Sequence, residues 1–283
     1  MESTFQLARG IGPGRERDLW RAGIARWHDF PSTPTPALSP RADGALRSAI
    51  ADARAAFAAR DVDRLATLTP TREHWRLFAA FGDAAAYLDI ETSDDVVGHA
   101  GISAIGVLDR RGPRLFLAGR DLDQFPAYAR GWSMLVTFNG LSFDLPIIRR
   151  AFADWTAPVC HVDLRHVLRR LGHHGGLKSI ERKLVALSLA RPAHLSDLGG
   201  WDAGWLYRRG RDGDREALRR FAEYNLYDVI NLRTLMAYAY NALVAEETAE
   251  APALRDAART VDVPGRGDVL YDVSKILLAL QGY

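Results

Sequence analysis

The sequence predicts an α/β protein in which a mixed sheet is flanked by helices and preceded by a small helical N-terminal segment. Three observations lead there. Short apolar runs parted by turn residues follow one another from Ala84, as in a strand meander. Beyond Met134 such runs alternate with helical stretches, the order that extends a sheet with helices on its faces. Between Arg41 and Arg76 the chain is Ala-, Arg- and Leu-rich and reads as helical, with polar breaks near Asp61 and Pro70.

The elements follow in order. Residues 1–30 hold a Gly-rich motif, GIGPGRERDLWRAGIARWHDF, and PSTPTPALSP from Pro31 to Pro40 reads as a connector. AAAYLDIE, ISAIGVLD and RLFLAG are read as three successive strands, and MLVTFN as a fourth after a short helix at Leu122–Ala129. Ser142–Trp155 is expected to be helical with Ser142 as its N-cap. A strand at Val159–Val162 leads into a helix at Asp163–Leu171, then one at Leu177–Leu187. A final helix is expected over Arg215–Ala245. The division expected is 1–30, 31–80 as linker and helical connector, 81–246 as the main domain, and 247–283 as an extension.

Composition narrows the class. At 283 residues, 48% hydrophobic and 25% charged, the chain can bury a full core. No apolar run reaches the roughly 20 residues that cross a bilayer, so no membrane partner is expected. The N-terminus carries an early Glu and no apolar signal core, and a cytoplasmic address is expected. Cys160 is the single cysteine, which excludes an internal disulfide and a cysteine-rich zinc site. Net charge is only +2, and the basic residues are nearly all Arg, the lysines being Lys178, Lys183 and Lys275. Arg suits bidentate phosphate contacts, although a compositional bias toward Arg and Ala explains the pattern equally well.

The chemistry sits in three carboxylate motifs. In Tyr87-Leu88-Asp89-Ile90-Glu91, strand alternation sends Leu88 and Ile90 to one face and Asp89 and Glu91 to the other. Two like charges on one face of an apolar strand must be solvated or bind metal. In TFNGLSFDLPIIRR, Asn139-Gly140 closes a strand and Asp144 falls in the first helical turn, where the helix dipole also favours an acid. That rim is where α/β folds form sites. In EYNLYDVINL, Tyr224 and Asp228 are four apart and share a helix face.

Strand acid pair, Asn-Gly-x-x-Phe-Asp and Tyr-x-x-x-Asp occur in a fixed order that resembles the DEDDy exonucleases of the ribonuclease H-like superfamily. LDIET, LVTFNGLSFDLPIIRR, CHVDLRH, GLKSIE and YNLYDV resemble the YprB-type ribonuclease H-like domain over about Tyr87 to Met236. The resemblance implies a 3′-to-5′ exonuclease using two Mg2+ or Mn2+ ions, which oxygen ligands suit. It implies that Asp89 bridges both metals, with Glu91 and Asp228 on the nucleophile side and Asp144 on the other. It implies that Tyr224 orients the attacking water. Some YprB-type relatives have His-Asn where this chain has Tyr224-Asn225, which leaves open whether Asn225 shares that role.

Further candidates are substrate contacts. Asn139 steadies the phosphate or simply serves the turn; Phe143 stacks on a base or packs in the core. Lys178, with Arg149, Arg150, Arg165, Arg169, Arg170, Arg182 and Lys183, tracks the backbone if these residues share a side of the cleft. Asp163 reads as an N-cap before a fifth ligand. Gly10-Ile11-Gly12-Pro13-Gly14 resembles the hairpin of helix–hairpin–helix DNA-binding modules, so Gly10 and Gly12 become candidate phosphate contacts; a docking lobe is the alternative. The expected partner is nucleic acid, single-stranded DNA ahead of RNA, and no protein partner is evident. A structure-selective endonuclease and a catalytically quiet nucleic-acid-binding scaffold are the rival readings.

Overall fold

A computed structural model describes residues 1–264 and 267–281. Five strands form one sheet: β1 Ala85–Thr92, β2 Ile102–Asp109, β3 Gly112–Leu117, β4 Met134–Thr137 and β5 Cys160–Asp163, in the order β3-β2-β1-β4-β5. The meander β1–β2–β3 pairs antiparallel, whereas β4 and β5 add in parallel on the other side of β1. This is the mixed sheet flanked by helices that the sequence predicts. It makes β1 the centre, with Asp89 directly opposite Gly106 of β2.

Helices α1 Pro13–Arg21, α2 Pro40–Ala58 and α3 Val62–Leu68 precede the sheet. Ser39 caps α2 through the Ala42 amide and Asp61 caps α3 through that of Arg64. After β4 come α4 Asp144–Ala151, α5 Leu164–Arg170, α6 Leu177–Lys183, α7 Gly200–Arg211, α8 Arg215–Glu250 and α9 Gly267–Gln281. Asp214 caps α8, its carboxylate accepting from the Ala217 amide at 3.0 Å.

Strand alternation splits the core into two layers. Leu88, Ile90, Ile105, Val107 and Leu135 bury against Phe125, Leu145, Ile148 and Trp155 on one face. Tyr87, Ala104, Leu108, Met134 and Val162 bury against α8 on the other. Phe5, Trp20, Trp27, Leu46, Leu65 and Trp75 join this second cluster. Buried Arg76 ties the same regions together. It donates to Glu73 (2.9 Å), Glu16 (3.0 Å) and Glu247 (2.6 Å). Glu16 also accepts from Thr4, the Phe5 amide and Gln6.

Four expectations need correction. Ser142 is not the N-cap of α4: Phe143 occupies that position without a side-chain cap, and the helix stops at Ala151. The Asn139-Gly140 turn is held instead by Asp163, whose carboxylate accepts from the amides of Asn139 (2.8 Å) and Leu141 (3.1 Å). The helix expected through Leu187 ends at Lys183, and a 3-10 turn leads to Ser188 at a φ of 53°. The helix expected to be last runs on to Glu250 and is followed by α9, which packs on α8 and β3. Helix α7 has no counterpart in the sequence reading, because three glycines in GWDAGWLYRRGR dilute its helical pattern.

Candidate active site

The alternation in β1 puts Asp89 and Glu91 on the sheet face that meets α8, where Asp228 faces them one turn beyond Tyr224. One carboxylate oxygen from each of Asp89, Glu91 and Asp228 lies within 4.8 Å of the others. Among the described residues this is the one cluster of three potential metal ligands. Asp144, first residue of α4, joins from the neighbouring strand end: its Oδ1 accepts from the Ile90 amide at 3.1 Å. All four acids line one open pocket, together with Tyr224, Asn139, Phe143 and Lys178. Eight predicted site residues are thus brought together. Gly10 and Gly12 do not line this pocket; Gly12 instead precedes α1 as its N-cap.

Crowded carboxylates hold protons. Burial first, then the charges of Asp228, Asp144 and Glu91, lifts Asp89 well above the ordinary carboxylate range. Burial and the charge of Asp228 push Glu91 up to about 8. Burial raises Asp144 to about 7 although the amides of Asp144 and Ile90 oppose it. Asp228 is also raised by burial, with Arg191 pulling the other way. Burial and the charge of Asp228 carry the Tyr224 phenol far above its usual range.

The surroundings are equally specific. Lys178 Nζ donates to Tyr224 Oη at 2.6 Å and to the Leu198 carbonyl. It also lies 3.9 Å from the Tyr224 ring centroid. Burial lowers its pKa. Asn139, at a left-handed φ of 67°, accepts from Arg165 Nη1 through its side-chain oxygen at 2.5 Å. Phe143 is 44% exposed on the rim, so it is not a core residue. Asp163 caps α5 and binds the Asn139 turn, outside the pocket. His161 is buried against Thr137, and burial lowers it to about 4, which keeps it neutral.

The sequence left the role of Asn225 open and did not single out Arg191, Glu181 or Asn231. Asn225 donates Nδ2 to Asp89 Oδ2 at 2.9 Å. Arg191, with only 4% of its side chain exposed, donates to Asp228 Oδ1 at 2.6 Å and forks onto Glu181 at 2.7 and 2.9 Å. Burial disfavours the Arg191 charge, but Asp228 and Glu181 more than offset it. Asn231 completes the chain by donating to Glu181 at 2.9 Å. GLKSIE carried a signal for Glu181, and the Tyr-Asn pair one for Asn225; Arg191, in a loop before Pro192, carried none.

The donor set fits a hard divalent cation. It is all oxygen, it converges, and it is partly withdrawn from water, where uncompensated carboxylates otherwise keep protons. No helix among the described residues is long and apolar enough to cross a membrane.

A family model described as the RNase H superfamily matches residues 86–240, more than half of the chain and a span containing all four acids. No curated protein and no solved structure matches the chain.

Proposed function

The chain belongs to the RNase H superfamily, and we propose that it is a divalent-metal-dependent 3′-to-5′ exonuclease acting on single-stranded or frayed nucleic acid, DNA ahead of RNA. The observation that carries this reading is the convergence of Asp89, Glu91 and Asp228 within 4.8 Å beside Asp144. In this reading residues 81–246 form the nuclease domain, with 1–30 a helix–hairpin–helix-like lobe, 31–80 a helical connector and 247–283 an extension.

Asp89, Glu91, Asp144 and Asp228 would hold Mg2+ or Mn2+, two ions by the four-acid pattern. When bound, such ions supply a water of lowered pKa and Lewis-acid stabilisation of the phosphoryl and leaving oxygens. The protein's own part is positioning. Lys178 donates to Tyr224 Oη, so the phenol proton is left to point elsewhere. The raised pKa of Tyr224 makes it a hydrogen-bonding guide for the attacking water before it is a base. Asn139 at the strand end contacts the scissile phosphate, and exposed Phe143 meets the terminal base. Gly10 and Gly12, outside the pocket, would hold a phosphate elsewhere on the strand, which is why DNA is favoured.

Digestion of end-labelled and circular substrates with manganese tests the reading. The expected result is stepwise loss from 3′ ends with circles intact. Cutting of circles would replace it with an endonuclease, and absence of any cleavage with a quiet scaffold.

A further inference from the structure

The chain has seven tryptophans, and two stand apart. Trp20, Trp27, Trp75 and Trp155 are buried, whereas Trp201 is 94% exposed and Trp205 48%. Both lie on α7, four residues apart, so their rings leave the helix on one face. The opposite face is fixed: Ala203, Leu206 and Tyr207 are buried, with the Tyr207 ring 5.4 Å from that of Phe221 on α8.

Position names the occupant. Gly199 and Gly200, immediately before Trp201, line the carboxylate pocket, while the rest of α7 does not. Lys178, which holds Tyr224, also binds the Leu198 carbonyl. The tryptophan stripe therefore starts at the rim of the site and leads away from it. Charge is not its main offering. Arg208 pairs with Asp95 at 3.3 Å and Arg209 with Asp214 at 2.5 Å, and Arg209 Cζ sits 4.7 Å from the Trp205 ring centroid. What remains open is aromatic surface: nearly all of Trp201 and the part of Trp205 that Arg209 leaves uncovered. The two residues are roughly 6 Å apart along the helix axis, wider than the 3.4 Å rise per nucleotide of a duplex strand. Bases inside a duplex are stacked on one another, whereas an unpaired strand can lay its bases on exposed aromatic rings.

We infer that Trp201 and Trp205 form a stacking platform for unpaired nucleobases of the substrate strand, outside the nucleotide that reacts. This rests on the nuclease reading and adds how the strand is held. Base–aromatic stacking is sequence-tolerant, so the platform selects single-strandedness and not a base.

The test is anisotropy of a 5′-fluorescein oligothymidylate and of its partly abasic counterpart, with the full chain and calcium as the ion. Trp201→Leu is expected to weaken the normal oligonucleotide about tenfold and the abasic one not at all. Trp201→Phe retains most of the affinity, and the Leu penalty is the same at low and high salt because no phosphate contact is lost. Equal binding of both probes by wild type and Trp201→Leu overturns the platform while leaving the nuclease intact. If the wild type binds no oligonucleotide here and shortens none with manganese, the nuclease reading falls and the platform with it.

Discussion

Asn225 reaches Asp89 across 136 residues of chain, its Nδ2 donating to Asp89 Oδ2 at 2.9 Å. The contact exists because Gly106 sits opposite Asp89 in β2 and leaves room for the amide. A Cβ at Gly106 would come within 2.0 Å of Asn225 Oδ1. Gly106→Ala is therefore expected to cost about 1–3 kcal/mol by overpacking and to displace Asn225 from Asp89. In an Asn225→Ala background the same change should be close to neutral. Denaturant midpoints for the four proteins check this, and strict additivity would remove Asn225 as the cause.

Metal-free stability should fall as pH rises. Folded Asp144 and Glu91 hold protons to about 7 and about 8, against ordinary values of 3.8 and 4.5. Raised folded pKa values stabilise fully below the unfolded range and lose that contribution as pH climbs through 7 and 8. His161, lowered to about 4, acts in the opposite direction below its usual 6.5, so the measurement is the difference between wild type and Glu91→Gln. That difference should favour the Gln variant increasingly from pH 5 to pH 8 in thermal melts. A pH-independent difference would show that Glu91 is not crowded.

Manganese should raise the melting temperature at pH 8, because a cation that binds only the folded site stabilises by mass action. Asp89→Asn should melt higher than wild type in chelator, gain little from manganese, and cleave nothing. A wild-type melt unmoved by millimolar manganese contradicts metal occupancy of this pocket.

Arg191→Met leaves Glu181 and Asp228 buried without their cation. Removing one partner of a buried pair costs roughly 3–5 kcal/mol. Part of this deficit should return on adding manganese, which supplies positive charge to Asp228. Chemical denaturation with and without the ion reads it out; an equal loss in both would mean that Arg191 serves packing alone.

Tyr224→Phe removes only the hydroxyl that Lys178 holds. Turnover of a single-stranded oligonucleotide should drop about a hundredfold, the low end for a positioned proton-handling group. The manganese-induced rise in melting temperature should persist. Unchanged turnover would exclude Tyr224 from the reaction.

How much of this was legible depends on period and distance. Strands β1, β2 and β3 follow from short apolar runs parted by turn residues, and the sidedness of Asp89 and Glu91 from alternation, both local properties of consecutive residues. Tyr224 and Asp228 follow from helical spacing. The Arg191–Asp228 pair does not, because it joins a loop to a helix 37 residues away and leaves no periodic trace. Helix α7 was hidden for a different reason: its glycines are poor helix formers, and packing of Leu206 and Tyr207 overrides that preference.

The Arg76 cluster has a practical corollary for anyone who wishes to shorten the protein. A fragment cut to residues 86–240 would discard Arg76 together with Glu16, Glu73 and Glu247, and would also strip Trp20, Trp27 and Trp75 from the layer beneath α8. The stretch that carries the inherited chemistry is thus smaller than the stretch that must be synthesised for it to fold. Such a fragment is expected to expose the apolar underside of α8 and to aggregate on expression, whereas the intact chain keeps that layer covered.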